Sequence, residues 1–181
     1  MRTTEKRRAL RIRKTNKNKL YKQLFDEFSA YGLSIALRFV GCKEDAWEVL
    51  NDSFLKLFSS MEEDMEKQQI KAFLRRIVIN TAIDYYRKSN RRPDHLDLDE
   101  NIQDGWTSDV EQKLSAEEIL KALHQLSQVQ RFVFTLHEIE GYNHDEISEK
   151  LGINVSTCRS HLRRAKNSLQ QILKFHERQL G

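Results

Sequence analysis

The segment 141–166 constrains the fold of this chain more than any other part of the sequence. Asn143, with Glu146 three positions later, forms a capping box for a short helix, and Gly152 supplies the left-handed residue that ends it. Asn154 then caps a second helix. Its apolar positions recur at helical spacing as Cys158, Leu162, Ala165 and Leu169. Because almost no linker separates the stop signal from the start signal, the sequence predicts a helix-turn-helix with a fixed angle between its helices.

The outward face of the second helix carries basic and hydroxyl side chains. The candidate DNA-contacting residues on it are Thr157, Arg159, Ser160, His161, Arg163 and Arg164. Guanidinium and hydroxyl groups presented by a helix match the hydrogen-bonding pattern of the major groove of DNA. A charged helix face is often only solvated, but such faces usually mix charges of both signs. We therefore favour recognition of a DNA duplex over a solvated helical hairpin.

Charge is distributed unevenly along the 181 residues, whose formal net charge is +4. A net positive charge suits a nucleic-acid partner. Basic residues crowd the segment 1–19, which we expect to be a disordered arm, while acidic residues dominate the segment 93–108. No stretch has the length and apolarity of a signal peptide or a membrane span, so we expect no membrane insertion and a cytoplasmic, nucleoid-associated protein. Cys42 and Cys158 lie at apolar helical positions and are predicted to be buried thiols.

Helical periodicity runs through most of the chain, which has only one proline and six glycines. The sequence predicts an all-α fold with two small helical domains, one over 20–92 and the helix-turn-helix domain over 109–181. The segment 93–108 loses periodicity and contains Pro93 and Gly105, so we interpret it as an acidic linker. No β alternation and no internal repeat is visible.

The predicted third helix, from about Glu66 to Lys88, interleaves basic and aromatic residues. Basic side chains can follow a phosphate backbone, and aromatic rings can stack on unpaired bases. We expect Phe73 and Tyr85 to belong to the core, and Asn80 and Tyr86 to face a nucleic acid.

Together, these motifs resemble the bacterial RNA polymerase sigma-70 family, in its two-domain extracytoplasmic-function (ECF) group. Residues 45–58, DAWEVLNDSFLKLF, resemble the family's region 2.2 helix, typically DAEDLVQEVFLRLW. Residues 72–88, AFLRRIVINTAIDYYRK, resemble its promoter-melting helix, typically AWLxRIARNxAIDYxR. The helix-turn-helix resembles GYSxxEIAxxLGI followed by TVKSRLxRA. The resemblance extends from Leu20 to about Leu173, with departures at Trp47, Asn51, Ile79 and Ser156.

The resemblance also implies partners and site residues. The first domain is expected to bind the clamp helices of the polymerase large subunit through Glu48, Asn51, Asp52 and Phe54. It is expected to bind the non-template strand of the minus-10 element through Arg75, Arg76, Asn80, Tyr86 and Arg87. The second domain is expected to bind the flap tip and the minus-35 duplex. The implied partners are core RNA polymerase, promoter DNA and, as is common in the family, an anti-sigma factor; no cofactor or metal is implied.

Other classes of protein remain open at this point. A helix-turn-helix transcriptional regulator that acts without core polymerase would need a sensor or dimerisation domain in place of the helix around Asp52. An enzyme is not expected, because the six histidines show no metal-ligand spacing and no nucleophile motif or glycine-rich phosphate loop is visible. A pure protein-interaction module would leave the basic face of the second helix unexplained.

Overall fold

The computed structural model describes the backbone of residues 2–62, 65–90 and 116–179, and the side chains of 17–62, 65–89 and 117–173. Within these ranges the chain forms seven α-helices and a π-helical turn, Thr135–Ile139. The helices are α1 (Arg2–Ala36), α2 (Lys43–Ser60), α3 (Lys67–Asn90), α4 (Ala116–His124), α5 (Gln128–Phe134), α6 (His144–Leu151) and α7 (Val155–Gln179). No strand occurs in these ranges, so the prediction of an all-α fold is confirmed.

The first three helices pack around apolar stripes with a spacing of four residues. α2 contributes Ala46, Leu50 and Phe54, and α3 contributes Leu74, Val78 and Ala82, all buried. α1 comes close to α2 at Gly32, where an added Cβ would lie 2.5 Å from Cδ1 of Leu50. The absence of a side chain at this position therefore allows the close approach of the two helices.

The segment 1–19, which we expect to be a disordered arm, overlaps α1, since α1 begins at Arg2. Lysine, arginine and leucine are good helix formers, and extending an existing helix avoids the cost of a new nucleus. The expected linker 93–108 lies outside the described residues, as do residues 109–115. The domain boundaries predicted there remain predictions.

The remaining helices form the helix-turn-helix part of the molecule. α7 packs against α5 and α6, and Phe132 of α5, Ile147 of α6 and Leu162 of α7 are buried in the same apolar cluster. The prediction of a buried thiol is confirmed for Cys158, whereas Cys42 is only half-buried; both thiols are free.

The two parts share one continuous buried cluster. Phe132 of α5 connects them, because its ring centroid lies 5.2 Å from that of Phe39 and 4.7 Å from that of Tyr86. The sequence predicted two domains joined by a linker and gave no indication of this contact. None of the described helices is both long and apolar enough to cross a lipid bilayer.

Candidate nucleic-acid interface

Local hydrogen bonds define the turn between α6 and α7. The amide of Glu146 donates to Oδ1 of Asn143 at 2.9 Å, and the amide of Asn143 donates to Oε2 of Glu146 at 2.8 Å, so the predicted capping box is confirmed. Gly152 ends α6 in the left-handed conformation with φ 69°. The Ser148 hydroxyl of α6 donates to the carbonyl of Ile153 at 2.5 Å and so ties the turn to α6. These bonds fix where α7 begins.

α7 divides into a packed face and an exposed face. Cys158, Leu162 and Ala165 are buried, as the periodicity predicted. Of the predicted DNA-contacting residues, Arg159, Ser160, Arg163 and Arg164 are exposed, and Thr157 and His161 are half-buried. The structure therefore places all six on the accessible side of one helix or at its margin.

The arginines of this face are available for a ligand. No acidic side chain of the described part of the chain forms an ion pair with Arg159, Arg163 or Arg164. Lys166, one turn further along, differs because its ammonium lies 2.8 Å from Oε1 of Glu138. The hydrogen bond from Lys166, followed by that from His137, holds the pKa of Glu138 below its usual value. This pair anchors α7 to the π-helical turn.

A pair of stacked histidines connects the π-helical turn with the start of α6. The rings of His137 and His144 stack with centroids 4.6 Å apart, and Nδ1 of His144 lies 3.6 Å from Sγ of Cys158. Burial, and then the nearby His137 and Arg159, lower the pKa of His144, while burial raises the pKa of the Cys158 thiol. A neutral imidazole and a protonated thiol suit a packing role at this position.

The second group of predicted site residues lies on α3. Arg75, Arg76, Asn80 and Arg87 are exposed. Three of them, Arg76, Asn80 and Arg87, line an open cleft of about 650 Å³ between α3 and α6. Their spacing of four and seven residues places them on one face of the helix. Arg75 and Arg87 also contact the helix-turn-helix part of the chain: Nε of Arg75 donates to Oε2 of Glu140 at 2.8 Å, and Arg87 donates to the carbonyl of Glu149 at 3.0 Å.

Tyr86 contradicts the expectation that it faces a nucleic acid. Only 5 % of it is exposed, and its ring packs against Phe132 at a centroid distance of 4.7 Å. Tyr86 lies four residues beyond Ala82 and eight beyond Val78, so it continues the buried stripe of α3. Phe73 and Tyr85, which we assigned to the core, are only half-buried.

The third group lies on α2, where Glu48, Asn51 and Asp52 are exposed on the outward face. Phe54 is not available to a polymerase in this structure, since it is 2 % exposed and its ring packs against Phe25 and Phe58 at 4.8 and 5.5 Å. Phe54 lies four residues after Leu50 and eight after Ala46, so it belongs to the buried apolar stripe of α2.

Two protein-family models match the sequence of this chain. A sequence model described as "Sigma-70 region 2" matches residues 24–92, and one described as "Sigma-70, region 4" matches residues 116–169. Together the two matches cover more than half of the chain, in the order that the structure shows. The chain belongs to the sigma-70 family.

Its curated relatives are ECF sigma factors. The chain is 27 % identical over 140 residues to an ECF RNA polymerase sigma-E factor of Haemophilus influenzae, covering 71 % of this chain and 74 % of that protein. It is 28 % identical over 137 residues to the sigma-E factor of Salmonella typhimurium, covering 69 % and 72 %. These similarities support its place in the ECF group.

A solved sigma factor shares the fold. The sigma factor RpoE of Bartonella quintana, crystallised in complex with the anti-sigma factor NepR, superposes with a TM-score of 0.51 and 23 % sequence identity. The match covers 86 % of this chain and 98 % of that one. At this identity, the superposition is evidence for the fold alone.

Two exposed apolar residues of α2 were not among the site residues predicted from the sequence. Leu55 is 68 % exposed and Trp47 is 37 % exposed, both on α2 beside the exposed polar residues Asn51 and Asp52. Trp47, Asn51 and Leu55 follow one another at intervals of four residues, which puts them on one face. That spacing is visible in the sequence, but spacing alone does not show that such a face remains exposed.

Proposed function

We propose that this chain is an ECF sigma factor that binds core RNA polymerase, directs it to promoters with particular minus-35 and minus-10 elements, and assists promoter melting. The observation that carries the proposal is the exposed arginine face of α7, held at a fixed angle by the capped turn, in a chain that also presents basic residues on α3. Each of the three binding steps has its own surface.

The minus-35 duplex is assigned to α7. Its exposed arginines and Ser160 lie near the start of the helix, the part that enters the major groove in helix-turn-helix proteins. A bidentate arginine on a guanine would provide specificity, and other contacts to phosphates would provide affinity.

The minus-10 element is assigned to α3. Unstacking and extruding bases costs a few kcal/mol. A protein that captures bases after they leave the stack can offset this cost without ATP. Asn80, exposed between Arg76 and Arg87, offers both a donor and an acceptor to such a base, and the arginines can hold the backbone of the single strand.

The clamp helices of the polymerase are assigned to the outward face of α2. Glu48, Asn51 and Asp52 supply the polar part of this face, and Leu55 and Trp47 supply an apolar part. Interfaces commonly bury an apolar or aromatic anchor within a polar rim. An anti-sigma factor, such as the one bound to the Bartonella relative, is a further proposed partner, and the proposed setting is the cytoplasm, at the nucleoid.

Run-off transcription with core polymerase and genomic fragments tests this function. Core polymerase with the chain should yield discrete transcripts, and core polymerase alone should not. Asp52→Lys should abolish them, whereas Asp26→Lys, the same charge reversal at an exposed position of α1, should leave them unchanged.

A promoter-specific mobility shift by the chain alone, with no transcript in the presence of core polymerase, would contradict the proposal. That result would favour a helix-turn-helix regulator that acts without polymerase.

A further inference from the structure

Side chains of the helix-turn-helix part bind the end of α1. α1 ends at Ala36, and the three following carbonyls accept hydrogen bonds from the other part of the molecule. His124 Nε2 donates to Leu37 at 2.8 Å, the Thr135 hydroxyl donates to Arg38 at 3.2 Å, and Nε of Arg131 donates to Phe39 at 2.9 Å. These bonds provide partners for the backbone carbonyls of the turn that follows α1.

Arg131 is the permanently charged member of this group, and it is buried. It is 6 % exposed, and desolvation lowers its pKa to about 10, so it remains charged at neutral pH. A buried cation beside the negative end of the α1 dipole is favourably placed. An added Cβ on Gly41 would lie 3.4 Å from Nη2 of Arg131, so the chain after α1 leaves just enough space for the guanidinium.

Glu140 makes the second connection between the two parts. Its carboxylate side chain is only 2 % exposed, and its Oε2 accepts from Nε and Nη2 of Arg75, both at 2.8 Å. Its Oε1 lies 3.7 Å from Nη1 of Arg38. Both donors of Arg75 thus share the single oxygen Oε2, and one anionic oxygen of a phosphate could accept the same two N–H groups.

The position of Glu140 follows from the π-helical turn. The amide of Glu140 donates to the carbonyl of Thr135 at 3.0 Å, one residue further back than in an α-helix. On α6, Glu146 and Glu149 line the cleft in which Arg76 and Asn80 lie. The helix-turn-helix part thus sets acidic groups against the surface of α3 assigned to single-stranded DNA.

We propose that the structure is a closed state in which Glu140, acting as an intramolecular substitute for a DNA phosphate, occupies Arg75 and keeps the minus-10 surface of α3 from single-stranded DNA. The Glu140 contacts with Arg75 and Arg38 form a latch that must open before α3 can bind a promoter strand. This rests on the proposed function, because it regulates the same α3 surface.

Glu140→Gln tests the latch in the full-length chain. The variant keeps the size of the side chain but removes its charge, and the two arginines it releases are already 44 % and 32 % exposed, so water can solvate them. Spin labels on non-natural residues at the exposed positions 59 and 167 leave both cysteines intact. The distance distribution between them should broaden and lengthen in the variant.

Binding of a single-stranded minus-10 oligonucleotide, measured by fluorescence anisotropy without polymerase, provides the second readout. Glu140→Gln should bind about tenfold more tightly than the unmodified chain, the change that one charge-assisted pair supports. Arg38→Gln, which loosens the latch from the other side, should shift both readouts in the same direction by a smaller factor. If circular dichroism shows that Glu140→Gln is misfolded, Arg38→Gln tests the latch in its place.

Glu149→Gln is the matched control, since Arg87 binds the backbone carbonyl of Glu149, which this substitution retains. It should leave the distance distribution unchanged. Any of three results would overturn the latch. The first is equal opening in Glu149→Gln and Glu140→Gln, and the second is no opening in either Glu140→Gln or Arg38→Gln. The third is opening without tighter DNA binding. If neither Glu140→Gln nor Arg38→Gln opened the latch while the unmodified chain supported run-off transcription, the proposed function would stand without the latch. If the latch opened but no transcript formed with core polymerase, the proposed function would fail instead.

Discussion

Arginines serve several purposes in this molecule, and their surroundings distinguish them. Arg131 is buried against backbone carbonyls, and Arg75 is held by a buried carboxylate, which raises its pKa. Arg159 and Arg164 are exposed and form no ion pair with the described acidic side chains. Forming a new contact at these two positions breaks no described internal ion pair, which is what a DNA-reading residue requires.

Replacing these α7 arginines one at a time tests the minus-35 assignment. Arg159→Ala and Arg164→Ala should each weaken minus-35 binding and leave binding of core polymerase intact. Loss of an arginine that reads a guanine bidentately should cost about 1–3 kcal/mol of binding free energy at that base pair only. Loss of a phosphate contact should instead weaken binding on all sequences equally. Mobility shifts of the holoenzyme on single-base variants of the promoter separate these cases.

Lys22→Ala, which removes one positive charge from the exposed surface of α1, is the control and should have little effect. Undiminished transcription by both α7 variants would show that α7 does not read the minus-35 element.

Acid should weaken the contact between the two parts of the molecule through His124. Burial, and to a smaller extent Arg131, lower the pKa of His124 below 6.5, although its hydrogen bond to Leu37 acts in the opposite direction. Because the unfolded chain takes up this proton at a higher pH than the folded one, the stabilisation is complete above about pH 6.5 and is lost as the pH falls towards the folded pKa.

Urea unfolding at several pH values measures this loss of stability. His124→Gln retains a donor for the Leu37 carbonyl but cannot titrate, so its free energy of unfolding should depend less on pH. The pKa of His144 is also lowered, so some dependence should remain. An unchanged pH slope in His124→Gln would exclude His124 as a source of the effect.

At the scale of elements, the helix-turn-helix depends on a few caps. α7 begins at Val155, which places Asn154 at the N-cap position, and its carbonyl accepts from the amide of Cys158 at 2.9 Å. Asn154→Ala should cost about 1 kcal/mol of stability, while Asn154→Ser, which keeps an oxygen acceptor, should be nearly silent. Transcription should fall more than stability, because the whole α7 face would be displaced.

Thermal unfolding measures the stability of both variants, and run-off transcription measures their activity. If alanine and serine behave alike, the side chain at position 154 does not cap α7.

Local elements could be predicted from the sequence because their signals are local. The capping box of Asn143 and Glu146, the left-handed Gly152 and the buried stripe of α7 each involve residues within a few positions of one another. The family resemblance assigned Phe54 to the polymerase surface, although its spacing from Ala46 and Leu50 places it on the buried stripe of α2. Within an element, physical spacing was the better guide to burial.

At the scale of the whole molecule, what the sequence could not show comes from contacts between distant residues. Tyr86 is buried by Phe132, Arg75 is held by Glu140, and Arg131 binds Phe39, in each case across more than 40 positions of the chain. No periodicity within one helix reports such a pair. The sequence therefore predicted the exposed basic faces of α3 and α7, and it missed that the two parts of the chain face each other.

Promoter opening is the property that separates a sigma factor from other DNA-binding proteins, and under the proposed function it requires α2, α3 and α7 together. Asn80→Ala should spare the closed complex, because the proposed minus-35 contacts are assigned to α7, but it should reduce opening of duplex DNA. A template with a pre-melted bubble should restore part of its activity, since the unstacking cost is removed. Asn18→Ala, at an exposed position of α1, should behave like the unmodified chain.

Permanganate footprinting of unpaired thymines on a duplex promoter measures this opening directly. With core polymerase, the unmodified chain should give reactive thymines in the minus-10 region, Asn80→Ala should give fewer, and Asp52→Lys should give none on duplex or pre-melted templates. Opening by Asn80→Ala equal to that of the unmodified chain would contradict the role of Asn80. Absence of reactive thymines with the unmodified chain and core polymerase, at a promoter to which the two bind together, would contradict the account as a whole.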